Sequence, residues 1–317
     1  MSHPGWVVED TESFCICLWN GFVYLLLCSH GEIMPEPIIT VGVGAIAAYL
    51  GKDGLQKLLG PTADYLGGEL QEFTKKRIEN IGKIFSKAEE KLGDGIESPG
   101  QVPPKVLKTV INEGSYCDDE IAVDYFGGIL ASSRTDLGRD DRGARIAKIL
   151  DGMSTYQIRS HYVIYSLVKK VFSDSGYKYN LEDRPKMELF IPMNVYIASM
   201  QFDEKELQQF SSILNHAFFG LSNDDLIENF QYGPLDHIKK HFPDAGSDGI
   251  LVSPSAFGAE LYLWGYGEGN KDLSYALQAN ELNDLPDVPL YLDGVAPASR
   301  EHNKSSQKDA SEAGASA

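Results

Sequence analysis

Residues 154–172 place the tightest constraint on what this chain can fold into. Ser154-Thr155-Tyr156-Gln157 has the spacing of a capping box, in which the serine hydroxyl takes the amide three residues on and the glutamine reaches back, so a helix starts here. The helix predicted from there to about Phe172 is apolar nearly all round: Ile158, Tyr162, Tyr165 and Phe172 share one face, and Val163, Ile164, Leu167 and Val171 occupy others. A helix without a polar face must be surrounded, so it is expected at the centre of a helical bundle.

The covering helices are legible upstream. From Leu55 to Leu92, Leu66, Leu70, Phe73, Ile81, Ile84, Phe85, Ala88 and Leu92 recur at intervals of three and four, which predicts one or two long amphipathic helices. Their other face pairs Glu72 with Lys76 and Glu79 with Lys83 in the favourable order, so it is either solvated or holds a partner. Residues 93–103 read as a loop, Pro103-Pro104 opens the next helix, and Asp118 or Asp119 caps another that carries Ile121, Ala122, Tyr125, Phe126, Ile129 and Leu130.

After Phe172 the pattern changes. Residues 188–200 read as extended chain around Pro192, Asp203 and Glu206 frame a helix reaching Leu221, and a short helix is expected near Ser222-Asn223-Asp224. A strand over residues 249–253 and a last helix over 255–267 complete the set. The fold class expected is mainly α, with a helical bundle over 34–172 followed by a smaller α+β module over 173–295 that could be winged-helix-like. On this reading the short helix would be the reading helix, and its Asp224, Asp225 and Glu228 lack the donors that phosphates and guanine edges require. Residues 296–317, rich in Ala, Ser, Lys and Glu without periodicity, are expected to be a disordered tail.

Charge narrows the function classes. The excess of 46 Asp and Glu over 28 Lys and Arg leaves a formal charge of −18, which repels phosphate backbones and makes nucleic acid an unfavoured partner. Cys15, Cys17 and Cys28 crowd the N-terminus and Cys117 stands alone, so no disulfide framework is expected and the chain reads as cytoplasmic. The apolar run 14–28 is interrupted by Asn20-Gly21 and falls short of the roughly 20 residues of a spanning helix. Glu9, Asp10 and Glu12 stand where a secretory signal would be basic. Composition shifts at Met34, which resembles a bacterial start, so residues 1–33 are read as an upstream extension foreign to the native protein. Residues 41–51, VGVGAIAAYLG, fit neither a Walker nor a dinucleotide loop; they suit close helix packing, and residues 37–50 suit peripheral contact with a membrane surface.

Chemistry-bearing residues are few. Arg134, Arg139, Asp140, Asp141, Arg142 and Arg145 form the densest charge cluster, between two expected helices. Such a set either binds a metal-phosphate or nucleotide, or neutralises itself in a salt-bridge network that pins the loop and caps the helix starting at Asp140 or Asp141. His161, beside two tyrosines on the central helix, reads first as a core histidine and second as a catalytic or ligand-contacting candidate. His237 and His241 share a helical face, but Ile238 stands where an HExxH protease needs glutamate. No nucleophile elbow, kinase set or deaminase set is present, no catalytic residue is identified, and neither a metal nor a cofactor is called for.

Three stretches carry a family resemblance: KAEEKLGDGI, SYCDDEIAVDYFGGILASSRT and GILVSPSAFGAELYLWGYG. They resemble the Abi-alpha family of bacterial helical proteins, over roughly residues 50–270. The matching positions are the acidic helix lead-in Asp118, Asp119 and Glu120, and the helix exit Ile129, Leu130, Ala131 and Ser132; Phe126-Gly127-Gly128 and DDRGAR depart from the pattern. The resemblance implies a non-enzymatic role in abortive-infection phage defence, through other proteins, self-association or a membrane surface. The alternatives are a nucleotide- or phosphate-handling enzyme built on residues 134–145 and a winged-helix regulator.

Overall fold

The computed structural model describes residues 57, 75–137, 139–278, 282–286 and 288–298, together with the backbone of three short strands near the start. Those strands are β1 (Phe14–Trp19), β2 (Phe22–Ser29) and β3 (Glu32–Ile33), an antiparallel meander in which Phe14 pairs with Leu27 and Cys28 with Ile33. The stretches expected to touch a membrane (37–50) and to begin the first amphipathic helix (55–74) lie outside the described residues except for Lys57. No described helix is long and apolar enough to cross a membrane.

Helix α1 (Lys75–Leu92) buries Ile81, Ile84, Phe85 and Ala88, the face its spacing predicts. Pro103 precedes α2 (Pro104–Gly114), whose first position tolerates a missing amide hydrogen. In α3 (Glu120–Ser132) the cap is Asp119, whose Oδ1 accepts from the Ala122 amide at 3.0 Å. Then come α4 (Arg142–Gly152) and α5 (Thr155–Phe172); in α5 both hydrogen bonds of the Ser154–Gln157 capping box are present.

Helix α5 is central, as expected, but α3 is buried more completely, from Ile121 to Ser132. Its glycines allow this. A Cβ on Gly127 would stand 2.5 Å from the Lys87 Cβ and 3.0 Å from the Ile84 carbonyl of α1, and one on Gly128 would stand 1.8 Å from the carbonyl oxygen of Gly265. Two helices therefore approach α3 through adjacent glycines, a distance no side chain would permit.

The second part comprises β4 (Leu189–Pro192), α6 (Met193–Met200), α7 (Glu204–Gln208), α8 (Phe210–Asn223), β5 (Ile227–Gly233), α9 (Leu235–Ile238), β6 (Gly249–Pro254), α10 (Ala256–Tyr266) and β7 (Ala296–Pro297). The sheet is antiparallel in the order β5-β6-β4-β7, with Phe190 opposite Leu251 and Tyr232 opposite Ile250. The succession α5, β4, α6, α8, β5, β6 has the winged-helix order, with residues 234–248 as the wing. Mainly α with a smaller α+β module is thus the observed class.

Several expected boundaries are corrected. The extended stretch 188–200 is a strand only to Pro192, after which α6 begins. The helix framed by the Asp203–Glu206 capping box breaks at Gln209 into α7 and α8. No helix starts at Ser222: α8 ends there, Asp225 takes a left-handed φ of 57°, and β5 follows. The helix before the hairpin is therefore α8, and Glu228 lies on a strand. The chain also stays folded past residue 295, because Phe190 pairs with Ala296 and the Ala298 amide donates to the Glu188 carbonyl at 2.7 Å. Residues 299–317 lie outside the described ones.

One apolar core runs through bundle and module alike, from Ile81 to Val288, so the change of pattern at residue 172 is not a break in packing. A small second core of Phe190, Ile238, Phe242, Ala245, Leu251 and Ala298 holds the wing down on the other face of the sheet.

Candidate functional site

The charged loop between α3 and α4 does not gather into one site. Arg134 turns toward the end of α1: its guanidinium donates to the carbonyls of Lys57 (2.9 Å), Gly95 (3.3 Å), Ile96 (3.0 Å) and Ser98 (2.5 Å). Arg142 forms a bidentate pair with Asp140 at 2.8 and 2.7 Å, donates to Asn270 Oδ1 at 2.9 Å, and lies 5.6 Å from the Trp264 ring centroid. Asp141 takes Lys105 at 2.7 Å, and Arg145 lies over Phe257 at 5.2 Å. Arg139 is exposed. Each pair holds a different neighbour, and the hydrogen bonds from Arg142 hold Asp140 below the ordinary carboxylate range.

His161 lies at the centre of the core with no exposed surface. Nδ1 stands 3.2 Å from the Tyr125 hydroxyl and Nε2 stands 3.0 Å from the Gly258 carbonyl, which assigns the proton to Nε2 and makes Tyr125 the donor to Nδ1. Burial pushes its pKa down to about 3, so it is a neutral hydrogen-bond bridge between α3, α5 and α10. The neighbouring Tyr165 hydroxyl accepts from the Ser255 amide and donates to the Leu226 carbonyl, tying the start of α10 to the end of α8. Cys117, half-buried, has its thiol pushed up to about 11, first by burial and then by nearby carboxylates, which leaves it a poor nucleophile.

The most buried charges belong to residues that sequence patterning did not single out. Asp124, on α3, is 5% exposed and meets Lys91 at 2.5 Å and Lys87 at 3.4 Å, both from α1. The two contacts are ion pairs, although no donor is aligned for a hydrogen bond with Asp124 Oδ1. Burial works against the charge on Lys87, but Glu90 and Asp124 outweigh it and raise its pKa. Lys169, on α5, is 1% exposed; its ammonium donates to the Leu282 carbonyl and meets Asp284 at 3.2 Å, while Lys170 takes the other Asp284 oxygen at 2.5 Å. The Leu285 amide donates to the Tyr162 hydroxyl at 2.8 Å. These contacts strap the segment after α10 across the bundle, from which it runs on to the edge strand β7. The only local signal for Lys169 was an ammonium on a helix otherwise read as apolar all round.

The winged-helix surface has a different character. On α8 the outward residues include Ser211, Ser212, Asn215, His216 and Phe219, and Phe219 is 56% exposed. Its ring stands edge-on to Phe230 at 5.2 Å, and Phe230 stacks on Tyr232 at 5.9 Å. Exposed Asp203 and Glu204 precede the helix, and exposed Asp224 and Asp225 follow it; the wing carries exposed Lys239 and Lys240. The rings of His237 and His241 lie 5.6 Å apart, and no group of three metal-ligating side chains exists among the described residues. No family model, curated protein or solved structure matches this chain.

Proposed function

We propose that this chain is a phage-defence protein of the abortive-infection type that works without catalysis, through protein contacts made by its winged-helix module. The observation that carries the contact mode is the Phe219 ring, left in water beside Phe230 and Tyr232 on the face that such modules use for recognition. Apolar rings grouped on a surface and rimmed by polar residues are the usual mark of a protein-binding face. The carboxylates of Asp203, Glu204, Asp224 and Asp225 flank it, so a partner with an apolar patch and a basic rim is complementary. The defence role rests on the resemblance to the Abi-alpha family.

The test compares phage plating on cells with no gene, with the wild-type gene and with Phe219→Asp at matched protein level. Protection by the wild type that Phe219→Asp loses is the expected result. Unchanged plating across a diverse phage panel overturns the defence role, and full protection by Phe219→Asp overturns the contact mode.

A second reading, a winged-helix regulator, draws on the topology and on Lys239 and Lys240 in the wing. It requires duplex binding that weakens steeply with salt. Less supports the nucleotide-handling reading, because Arg134 is taken up by four carbonyls and Arg142 by Asp140 and Asn270.

A further inference from the structure

The sheet of the module has two edges, and the chain treats them differently. At one, the short strand β7 covers β4 over Leu189 and Phe190. At the other, β5 pairs with β6, and no described strand lies on its outer side. An open edge is a template for another strand unless proline, charge or a bulge blunts it. Over residues 229–232 β5 reads Asn-Phe-Gln-Tyr, with neither proline nor charge, and its bulge lies earlier, between Ile227 and Asn229.

The register fixes which backbone groups face outward. The Met193 amide donates to the Asp248 carbonyl at 3.0 Å, which makes Pro192 and Gly249 a non-hydrogen-bonded pair between β4 and β6. Alternation then turns the amides and carbonyls of Ile250 and Val252 toward β4, and those of Gly249, Leu251 and Ser253 toward β5. Opposite the latter stand Gly233, Gln231 and Asn229, so the N–H and C=O of Phe230 and Tyr232 point away from the sheet. Those groups have no backbone partner among the described residues. Their side chains share the α8 face, where Phe230 meets Phe219 and stacks on Tyr232, while Gln231 points to the other face, its Nε2 3.4 Å from His241 Nδ1. Charge selects the direction of an added strand. Exposed Asp224, Asp225 and Glu228 flank the start of β5, and Lys239 and Lys240 are exposed beside Asp236 just beyond its end. An identical strand laid antiparallel sets each acidic start against the other's basic end, whereas a parallel one matches like with like.

We propose that β5 pairs with β5 of a second copy of this chain, antiparallel about a two-fold axis at Gln231. Phe230 then stands opposite Tyr232 of the second copy, and Tyr232 opposite its Phe230, so both outward residues exchange their N–H and C=O at once. Such an axis is perpendicular to the sheet. The rings of Phe219, Phe230 and Tyr232 from both copies therefore lie on one face, where cross-strand aromatic pairs add to the ladder. The inference rests on the aromatic face being a protein contact, as proposed above, and names its partner.

The test is analytical ultracentrifugation of the purified full chain across a dilution series, repeated on Tyr232→Pro, Tyr232→Ala, Gln231→Lys and Gln231→Glu. A wild-type dimer that dissociates on dilution is expected. Tyr232→Pro and Tyr232→Ala both lose the ring, but only the proline loses the outward N–H, which an edge strand can spare; it should weaken the dimer about tenfold or more relative to the alanine. Gln231→Lys and Gln231→Glu keep the pairing with β6 and set like charges across the axis. Each alone should dimerise severalfold more weakly, and an equimolar mixture of the two should recover the wild-type mass. Should Tyr232→Pro fail to fold, the charge exchange at Gln231 decides alone. A wild type that stays monomeric up to about 0.1 mM overturns the proposal, as does a dimer unaffected by the folded proline variant or by the charge exchange. A monomeric wild type whose protection Phe219→Asp still abolishes keeps the contact mode and removes only the second copy as its partner.

Discussion

The loop at Arg134–Arg145 and the ion pairs around Asp124 and Lys169 are built from the same kinds of side chain, yet they behave oppositely. In the loop the charges are neighbours in sequence, stay near water, and disperse to separate partners. Around Asp124 and Lys169 they come from α1, α3, α5 and the strap, and they converge where water is scarce. The difference is one of solvation. An exposed charge keeps most of its hydration whether or not it is paired, so an ion pair there adds little. A buried charge without a partner costs several kcal/mol, so at such a place the fold must bring one.

The largest effect expected from breaking this contrast is at Asp124. Asp124→Ala leaves Lys91 and Lys87 facing each other across the α1–α3 contact, and should cost about 3 kcal/mol in urea unfolding. A loss below about 1 kcal/mol would place Asp124 in the same class as the loop. Next comes Lys169→Ala, which strips the Leu282 carbonyl of its donor and frees the strap; about 2–3 kcal/mol is expected, together with faster proteolysis between residues 278 and 298. Lys169→Met keeps the aliphatic stem and should recover part of that loss.

His161 supplies a pH-dependent version. Its folded pKa of about 3 lies below the ordinary value of 6.5, so as pH falls the unfolded chain takes up the proton first. The stability it contributes is complete above pH 6.5 and erodes as pH falls toward 3. From pH 7 to pH 5 this amounts to about 1.5–2 kcal/mol, read as the difference in slope between the wild type and His161→Gln. Equal slopes would mean that the imidazole titrates in the fold as it does in the unfolded chain. The smallest effect belongs to the loop: Asp140→Ala breaks a bidentate but partly exposed pair and should cost less than about 1 kcal/mol, with high salt narrowing the gap further.

What could be read from the chain follows the same division. The Ser154 and Asp203 capping boxes, the Asp119 and Ser255 caps, and the buried face of α1 all appear where residue type and spacing put them, because each is satisfied within a turn or two of its own helix. The split of residues 188–200 at Pro192 and the end of α8 at Asn223 depend on strand pairing, which no local pattern carries. Strand β4 exists because Leu189 faces Val252, and β5 exists because Tyr232 faces Ile250. Phe126-Gly127-Gly128, which looked like a departure from the family pattern, is where α1 and α10 close on α3. Nothing adjacent in sequence demands it.

The same holds for the candidate sites. His161 was legible as a core histidine from the apolar helix around it, but its partners Tyr125 and Gly258 were not. The six-residue charge cluster was conspicuous because its members are adjacent, and adjacency says nothing about where long side chains turn. Lys87, Lys91 and Asp124 carry no signal as a group, since α1 and α3 meet only in three dimensions.

Residue type and spacing along the chain set the mainly α class, the helix caps, the acidic balance and the apolar helix that must lie at the centre, because hydration, capping and helical period act over a few residues. The sheet order of the module, the strap that Lys169 ties to a carboxylate 115 residues away, and the ion pairs around Asp124 arise only in the tertiary structure. These depend on which surfaces meet once the core closes, and burial then selects the charges that must be matched.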